Sequence, residues 1–374
     1  MILEELKLHH FRNYDDLTVK FHPGINVLIG ENAQGKTNLL EAIYVLALTK
    51  SHRTANDREL ITWKQHDATV AGRIRKQLGS LPLAVQFSSH SKRVRMNHLV
   101  QPRMSSYIGA LNVVLFAPED LQLVKGAPVI RRQFMDTEFS QMSNQYLFAL
   151  GKYNQVLKQR NQYLKQLKYH QESDRVLLDV LSEGLAKSGG QVVALRYQLL
   201  HQLEGWAQEL HEHISTRKEK LTFRYVSQVK TADDKTVPDY QQELLASYQQ
   251  RADHEIELGT TLTGPHRDDV AFLVNGQNVQ SFGSQGQQRT TALAVKLAEI
   301  ELMKQQTNEY PLLLLDDVLS ELDNDRQTHL LTAIQDKVQT FLTTTSLSGV
   351  ARQLINQPAI YHIQQGQVSE EEAQ

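Results

Sequence analysis

Cysteine is absent from the 374-residue sequence, which excludes a disulfide framework, a thiolate metal site and a cysteine nucleophile. No apolar stretch is long enough to span a bilayer, and the N-terminus lacks the hydrophobic segment of a signal peptide. An excess of one charge is also lacking, because the formal net charge is −2. Any nucleic-acid contact must therefore come from local basic patches. These absences predict a soluble, cytoplasmic protein.

The remaining composition is that of a globular protein, 40% hydrophobic and 22% charged, and the length predicts two or three domains. Period-two alternation over residues 67–100 predicts a β-rich layer. Helical spacing over about 130–215 predicts an antiparallel helical lobe, with a weak point at Gly189–Gly190. The polar segment 228–240 is predicted to be a loop, and Asn275–Gly276 between alternating runs predicts a hairpin.

The segment GENAQGKT lies between a short apolar run and a helical pattern at 38–48, and it matches G-x-x-x-x-G-K-[ST] in full. Glycine allows backbone N–H groups to surround phosphate oxygens, and the helix start adds its positive dipole end. Lys36 is predicted to contact the β- and γ-phosphates, and the Thr37 hydroxyl to bind Mg²⁺. The predicted ATP-binding residues of this loop are Gly30, Glu31, Asn32, Ala33, Gln34, Gly35, Lys36 and Thr37.

A phosphate-binding loop needs an acidic residue at the end of a neighbouring buried strand, and LLLLDD at 312–317 supplies it. We assign Asp316 to Mg²⁺ and Asp317 to orienting or deprotonating the attacking water, with Lys36 as the other catalytic residue. Two acids after an apolar run are, by themselves, also typical of a strand end that meets solvent. The pairing with the loop favours the functional interpretation.

The loop and the carboxylates lie near opposite ends of the chain. This separation predicts an α/β P-loop ATPase head assembled from both chain ends, with the helical lobe inserted between them. The predicted domains are residues 1–125 for the N-terminal part of the ATPase lobe, 126–255 for the helical lobe, and 256–374 for the C-terminal part of the ATPase lobe.

Ser284-Gln285-Gly286-Gln287-Gln288 precedes a predicted helix, about thirty residues before the carboxylates, and it resembles the S-G-G-Q signature of ABC-type ATPases. In such heads the element closes over the γ-phosphate of a nucleotide bound to a partner subunit. Ser284, Gly286 and Gln287 are therefore predicted to contact the nucleotide, although simple capping of the helix explains an isolated serine here equally well. SELD, at 320–323, resembles the D-loop of the same proteins.

Seven segments together resemble the RecF family of SMC-like ABC ATPases, across essentially the whole length. They are LKLHHFRNY, GENAQGKTNLLEAI, SHRT, FAPEDL, TGPHRDD, FGSQGQQR and LLLDDVLSELD. The resemblance implies an ABC/SMC-type head that binds ATP with Mg²⁺, hydrolyses it weakly with stimulation by DNA, and forms a homodimer on ATP. It also implies binding to duplex or gapped DNA and to single-strand/duplex junctions. Action with RecR and RecO, loading of RecA, a role in replication and the SOS response, and nucleoid association are implied as well.

Several positions depart from the broader ABC pattern. Gly283 stands where leucine is common and Gln285 where glycine is common, and Asp317 replaces the usual glutamate. The shorter carboxylate is compatible with slow turnover. Thr343–Thr345 occupy the place of a switch histidine, and no γ-phosphate sensor is assigned.

Basic residues in the first part of the helical lobe, together with Arg53 after the helix that follows the phosphate loop, predict contacts to DNA phosphates, without sequence readout. The candidates are Arg53, Arg131, Arg132, Lys158 and Lys165; a solvated polar face is the alternative for each. Glu119 or Asp120 is a candidate for a Mg²⁺-sensing loop. His266, Asp268 and Asp269 look like metal ligands, but a structural role in a hairpin is favoured.

Three other function classes stay open at this point. One is the nucleotide-binding subunit of another ABC-type machine, for example a transporter. The others are a P-loop kinase and a scaffold with a degenerate ATPase. The long helical insertion and the LKLHHFRNY start argue against the transporter.

Overall fold

The computed structural model describes residues 1–89, 91–170, 174–215, 218–346, 355 and 357–371, apart from the side chain of Glu321. The strands are β1 Ile2–Phe11, β2 Tyr14–Lys20, β3 Ile25–Ile29, β4 Asp67–Lys76, β5 Gly79–Ser88, β6 Lys92–Met96, β7 Leu99–Val100, β8 Val113–Phe116, β9 Leu221–Val226, β10 Asp269–Val274, β11 Gln277–Asn278, β12 Leu312–Asp316, β13 Thr340–Thr344, β14 Ala359–Gln364 and β15 Gln367–Glu370. The helices are α1 Lys36–Leu48, α2 Leu121–Lys125, α3 Pro128–Met142, α4 Asn144–Lys168, α5 Arg175–Ile214, α6 Val237–Gln250, α7 Ala252–Leu258, α8 Val279–Phe282, α9 Gln285–Thr307, α10 Val318–Glu321 and α11 Asn324–Ile334.

The chain divides into two compact units. Unit 1 contains Met1–Asp120 and Leu293–Gln374, and unit 2 contains Leu121–Ala292. The first division lies close to the predicted boundary at 125. The second division differs from the predicted boundary at 256: residues 256–292 were predicted to belong to the ATPase lobe, but they belong to unit 2. The physical reason is that β10 pairs along its whole length with β9, a strand of unit 2.

The sheet that carries the phosphate loop has the order β15-β14-β3-β13-β12-β8, and all its pairings are parallel except that of β14 with β15. Strands β8 and β12 are short apolar runs, as expected of parallel strands covered on both faces. The four leucines of β12 are fully buried. The carboxyl ends of parallel strands meet at one edge of a sheet, so the loop after β3 and the acids after β12 lie at the same edge.

Unit 1 also contains an antiparallel sheet of order β2-β1-β4-β5-β6-β7, in agreement with the β-rich layer predicted over 67–100. The hydrophobic core of this unit joins side chains of both sheets to those of α1. Eleven of the thirteen residues of α1 are buried, so the helix has no polar face. A helix that is apolar all round is stable only when it is surrounded in this way.

Unit 2 consists of the helices α2–α8, the start of α9 and a sheet of order β11-β10-β9. The long helix α5 runs without interruption through the predicted weak point at Gly189–Gly190. A Cβ on Gly190 would lie 2.9 Å from the backbone nitrogen of Gln241, so the glycine permits close packing of α6. The predicted loop at 228–240 ends earlier than expected, because the Thr236–Asp239 capping box starts α6 at Val237.

Candidate nucleotide-binding site

The loop after β3 adopts the predicted strand–loop–helix form. Gly35 has a φ of 121°, which an L side chain rarely adopts, and a Cβ there would lie 2.8 Å from the Tyr14 hydroxyl oxygen. Gly30 is equally constrained, since its Cβ would lie 2.3 Å from the carbonyl oxygen of Ile363. The Tyr14 hydroxyl donates to the Gly35 carbonyl at 3.0 Å, and Asn13 Nδ2 donates to the Gln34 carbonyl at 3.2 Å. The loop is therefore shaped by its neighbours as well as by its own glycines.

Lys36 begins α1 and is 8% exposed. Its Nζ donates to the carbonyl oxygens of Gly30 and Glu31, the latter at 2.8 Å, so the ammonium group bends back over the loop. Burial lowers the pKa of Lys36, and the nearby carboxylates of Asp317 and Asp316 oppose that lowering. The ammonium group thus lies between the loop and the acids, where a phosphate bound by the loop would meet it.

Thr37 and Asp316, predicted as the metal ligands, are brought together. Thr37 Oγ1 donates to Asp316 Oδ1 at 2.9 Å, and Thr343 Oγ1 donates to the same oxygen at 2.8 Å. Mg²⁺ takes oxygen ligands at about 2.1 Å in an octahedron, so adjacent ligands lie about 3 Å apart. The separation of the Thr37 and Asp316 oxygens fits that requirement.

Asp317 follows directly in a left-handed conformation, with φ 53° and ψ 23°. Aspartate tolerates this region better than most residues, and the turn leaves the side chain exposed. Its backbone N–H donates to Thr343 Oγ1 at 2.9 Å. Thr343 therefore positions both acids, a role that the sequence did not reveal beyond its place in the Thr343–Thr345 run.

A buried carboxylate in the helix that follows the loop was missed by sequence reasoning. Glu41 is fully buried in α1 and accepts hydrogen bonds from Arg12 Nε and Nη2 at 2.8 and 2.7 Å. Ser51 Oγ also donates to it, and Arg53 Nη1 lies 3.5 Å away. Burial would raise the pKa of Glu41, but the hydrogen bonds from Arg12 and Ser51 outweigh it and hold the pKa below its usual value. The signal in the sequence was an acid within an otherwise apolar helix.

The signature-like residues lie in unit 2. Ser284 N–H donates to Gln287 Oε1 at 2.8 Å, and Gln287 N–H donates to Ser284 Oγ at 3.2 Å. This reciprocal pair is a capping box at the start of α9, with Gly286 in its first turn. Gln287 Nε2 also donates to Glu219 at 2.8 Å. Helix capping is therefore present, and a role toward a partner's nucleotide stays a prediction.

The predicted DNA-contacting residues divide by exposure. The prediction that Arg131 contacts DNA must be corrected. Its side chain is only 4% exposed and pairs with both carboxylate oxygens of Asp269 at 2.7 and 2.8 Å, so it stabilises the interior of unit 2. Arg132 is half-buried and donates to the Asp268 carbonyl at 2.9 Å. Lys158 and Lys165 are exposed on α4. Arg53 is 45% exposed and donates to Asn38, in the first turn of α1, at 2.9 Å.

His266 and Asp268 make structural contacts within unit 2. His266 Nε2 lies 3.1 Å from the Thr261 carbonyl oxygen, and its Nδ1 lies 2.6 Å from the Tyr153 hydroxyl. Tyr225 donates to Asp268 at 2.5 Å. Across the described ranges, no group of three or more histidine, aspartate or glutamate side chains is placed to hold a metal ion.

The candidate Mg²⁺-sensing loop follows β8. Asp120 Oδ2 accepts a hydrogen bond from the Ala117 N–H at 2.8 Å, so the carboxylate caps its own turn. Burial raises the pKa of Asp120, and the Lys296 ammonium opposes that change. Glu119 stands in the same turn, and neither residue gains an assigned role from the geometry.

The comparisons with known proteins identify the family of the chain. The family described as RecF/RecN/SMC N terminal domain matches residues 2–369. The DNA replication and repair protein RecF of Limosilactobacillus fermentum (strain NBRC 3956 / LMG 18251) is 66% identical over 372 residues, which covers 100% of both chains. The chain belongs to the RecF family. The resemblance predicted from seven motifs is thereby confirmed.

Solved structures agree with the RecF-family assignment. The structure of the recombination mediator protein RecF-ATP in the RecFOR pathway superposes with a TM-score of 0.92 at 30% identity, covering 99% of this chain and 98% of that one. The Smc head domain with an extended coiled coil from Pyrococcus furiosus gives a TM-score of 0.57 at 15% identity, covering 99% and 96%, and shows the fold alone. The predicted ABC/SMC-type head is confirmed. In the part of the chain that the structure describes, no helix is long and apolar enough to cross a membrane.

Proposed function

We propose that this RecF-family chain is an ATP-dependent DNA-binding protein of recombinational repair and replication, in which bound ATP joins two copies and slow hydrolysis separates them. The observation that carries the proposal is the convergence of Lys36, Thr37 and Asp316 at the edge of the parallel sheet. A related protein of 30% identity is described with ATP in its structure, which supports ATP as the nucleotide.

Each residue of the site has a distinct task. The amides of the loop and the Lys36 ammonium hold the phosphates, and Thr37 and Asp316 hold Mg²⁺, which neutralises phosphate charge when bound. Asp317 is exposed beside this group and orients the water that attacks the γ-phosphate. Thr343 keeps both acids in place through its hydroxyl.

Ser284 provides the contact between copies. Ser284 and Gln285 are exposed at the start of α9, where the positive end of the helix dipole favours an anion. We place this helix start over the γ-phosphate of the partner copy. Arg53, Lys158 and Lys165 are the exposed members of the predicted set and remain the DNA-contacting candidates.

The relatives support the proposed cellular setting. A RecF protein of the same family is described as a recombination mediator in the RecFOR pathway. By that relation, we propose that the ATP-bound dimer binds duplex and gapped DNA with RecR and RecO, and that it helps load RecA at single-strand gaps and in the SOS response.

The test measures molecular mass and DNA affinity together, on gapped, duplex and single-stranded DNA, with and without ATP and Mg²⁺. The wild type should dimerise and bind more tightly only with ATP. Lys36→Met and Asp316→Asn should lose both effects. Asp317→Asn should keep both but hydrolyse ATP about 10²- to 10⁴-fold more slowly, because it lacks the carboxylate that orients water.

Asp325→Asn is the matched control, because it removes an exposed carboxylate in α11. It should behave as the wild type. A nucleotide-independent monomer, or Lys36→Met and Asp316→Asn variants that bind DNA and dimerise normally, would contradict the proposal and favour a scaffold. Transfer of labelled γ-phosphate to anything other than water would favour a kinase.

A further inference from the structure

Trp63 is an outlier on the surface of unit 1. It is 90% exposed, whereas tryptophan is highly buried on average in folded proteins. Both faces of an indole with that exposure are open to solvent. Tryptophan combines a large apolar ring with a polar N–H group and is enriched at contact sites.

The indole stands at one side of a groove of 440 Å³ that is lined mainly by polar and charged residues, with Ile61 as the other apolar one. The lining consists of Arg12, Arg58, Glu59, Ile61, Thr62, Trp63, Lys64, Gln65, His66 and Ser89. Arg58, Lys64 and His66 are exposed, and Arg58 Nε donates to the Ser89 carbonyl at 3.3 Å. Glu59 is the one carboxylate among these ten residues. Within the described residues, Lys64 forms no ion pair, so its charge is available to an anion.

The backbone holds Trp63 outward in a short turn. Gln65 N–H donates to the Thr62 carbonyl at 3.0 Å, and Lys64 has a φ of 69°, an uncommon value for a residue other than glycine. Thr62 anchors the turn, because its N–H donates to the His10 carbonyl at 2.8 Å and its Oγ1 donates to the Arg12 carbonyl at 2.9 Å. The exposed indole is therefore presented by a fixed turn.

We propose that Trp63 is a stacking platform for an unpaired base of single-stranded DNA, and that Lys64 and Arg58 contact the adjoining phosphates. This inference rests on the proposed function and specifies which surface binds the unpaired strand of a gap. Every base offers a π-face to an aromatic ring, so stacking beside cations binds single strands without sequence preference. A protein partner would be expected to meet an apolar surround, because interface anchors lie within water-excluding contacts, whereas the neighbours of Trp63 are polar and charged.

The same groove is connected to the nucleotide site through Arg12. The Arg12 carbonyl accepts from Thr62 next to Trp63, and its Nη1 donates to the Glu59 carbonyl at 2.9 Å. Its Nε and Nη2 hold Glu41 of α1, the helix that begins at the phosphate loop. Arg12 therefore contacts both the lining of the groove and the buried carboxylate of α1.

Tryptophan fluorescence gives a direct test, because the chain has only two tryptophans, Trp63 and Trp206. In a Trp206→Phe background, oligothymidylate should quench Trp63 fluorescence, and an abasic strand of equal length should not. Trp63→Ala should bind oligothymidylate about tenfold more weakly, within the usual range for loss of one stacked base. Trp63→Phe should recover part of the affinity, and Lys64→Gln should lower the salt dependence of binding.

The controls separate this inference from the proposed function. Leu78→Ala removes another fully exposed apolar side chain, outside the groove, and should leave binding unchanged. Trp63→Ala should still dimerise and bind duplex with ATP as the wild type does. Equal single-strand affinity of wild type and Trp63→Ala would overturn this inference alone, and so would an effect of Trp63→Ala confined to association with another protein. Loss of all ATP-dependent DNA binding in the wild type would overturn the proposed function.

Discussion

At the scale of single residues, His266 shows how burial couples protonation to stability. Its Nε2 faces the Thr261 carbonyl, so that nitrogen carries the proton, and Nδ1 accepts from the Tyr153 hydroxyl. Burial lowers the pKa of His266 to about 4; the Thr261 carbonyl opposes this, while Arg267, Arg132 and Arg196 add to it. The folded unit 2 therefore stabilises the neutral form of His266.

We expect this histidine to make the protein acid-sensitive. Its folded pKa lies below the unfolded value of 6.5, so its contribution is complete above pH 6.5 and is lost as pH falls toward about 4. Between about pH 7 and about pH 5, up to about 2 kcal/mol of unfolding free energy should be lost on this account. In urea denaturation, the free energy of unfolding of His266→Gln should fall less over that pH interval than that of the wild type. His201→Gln, at a histidine that is 69% exposed, is the control, and equal losses in wild type and His266→Gln would refute the assignment.

At the scale of elements, α1 contains the buried carboxylate of Glu41, which interacts with two arginines to different degrees. Arg12 makes two hydrogen bonds to the buried Glu41 and is 18% exposed, whereas Arg53 lies 3.5 Å from it and is 45% exposed. Removing one partner of a buried pair leaves an uncompensated charge, but an exposed ion pair contributes little. The two arginines therefore form a matched comparison on one carboxylate.

Arg12→Met should destabilise the protein by about 3–5 kcal/mol, because Glu41 is left buried without its main partner. Arg53→Met should cost less than about 1 kcal/mol. The double variant Arg12→Met/Glu41→Met should recover most of the loss, since an apolar pair of similar size needs no compensating charge. Urea denaturation measures all three, and equal destabilisation by the two single variants would show that Arg12 has no special role.

The same elements show which parts of the fold could be predicted from sequence. The strand–loop–helix around Lys36 and the leucine strand before Asp316 were predicted, because their signals are local: an apolar run, a glycine turn and a change of period. A weak point was predicted at Gly189–Gly190, but α5 runs through it without interruption. Glycine there serves the approach of α6, and a neighbour distant in sequence leaves no mark on local periodicity.

Charged residues were the other source of error. Arg131 was predicted to face DNA because charge usually indicates solvent, but its partner Asp269 lies 138 residues along the chain. Glu41 was missed for the same reason, since Arg12 and Ser51 reach it only in the folded unit. Burial of a charge is decided by the partner, and single-sequence patterns do not identify partners that are distant in sequence.

At the scale of the whole molecule, the predicted nucleotide contacts are divided between the two units. Lys36 and Asp316 belong to unit 1, and Ser284 to unit 2. In a two-fold symmetric dimer, any site built from the loop of one copy and Ser284 of the other occurs twice. This arrangement makes composite sites testable by mixing two defective chains.

Lys36→Met disables the loop, and Ser284→Asp should disable the partner contact by placing a negative charge against the γ-phosphate. Aspartate caps a helix as well as serine does, so the start of α9 is preserved, and Ser284→Asn is the neutral control that should retain more activity. Each variant alone should be inactive as an ATPase, because neither pairs with itself. An equal mixture should regain up to about half of wild-type activity, because each mixed dimer has one intact composite site of two. Steady-state phosphate release measures this directly. A mixture that stays inactive while the mixed dimers are seen by mass would mean that Ser284 does not complete the site of its partner.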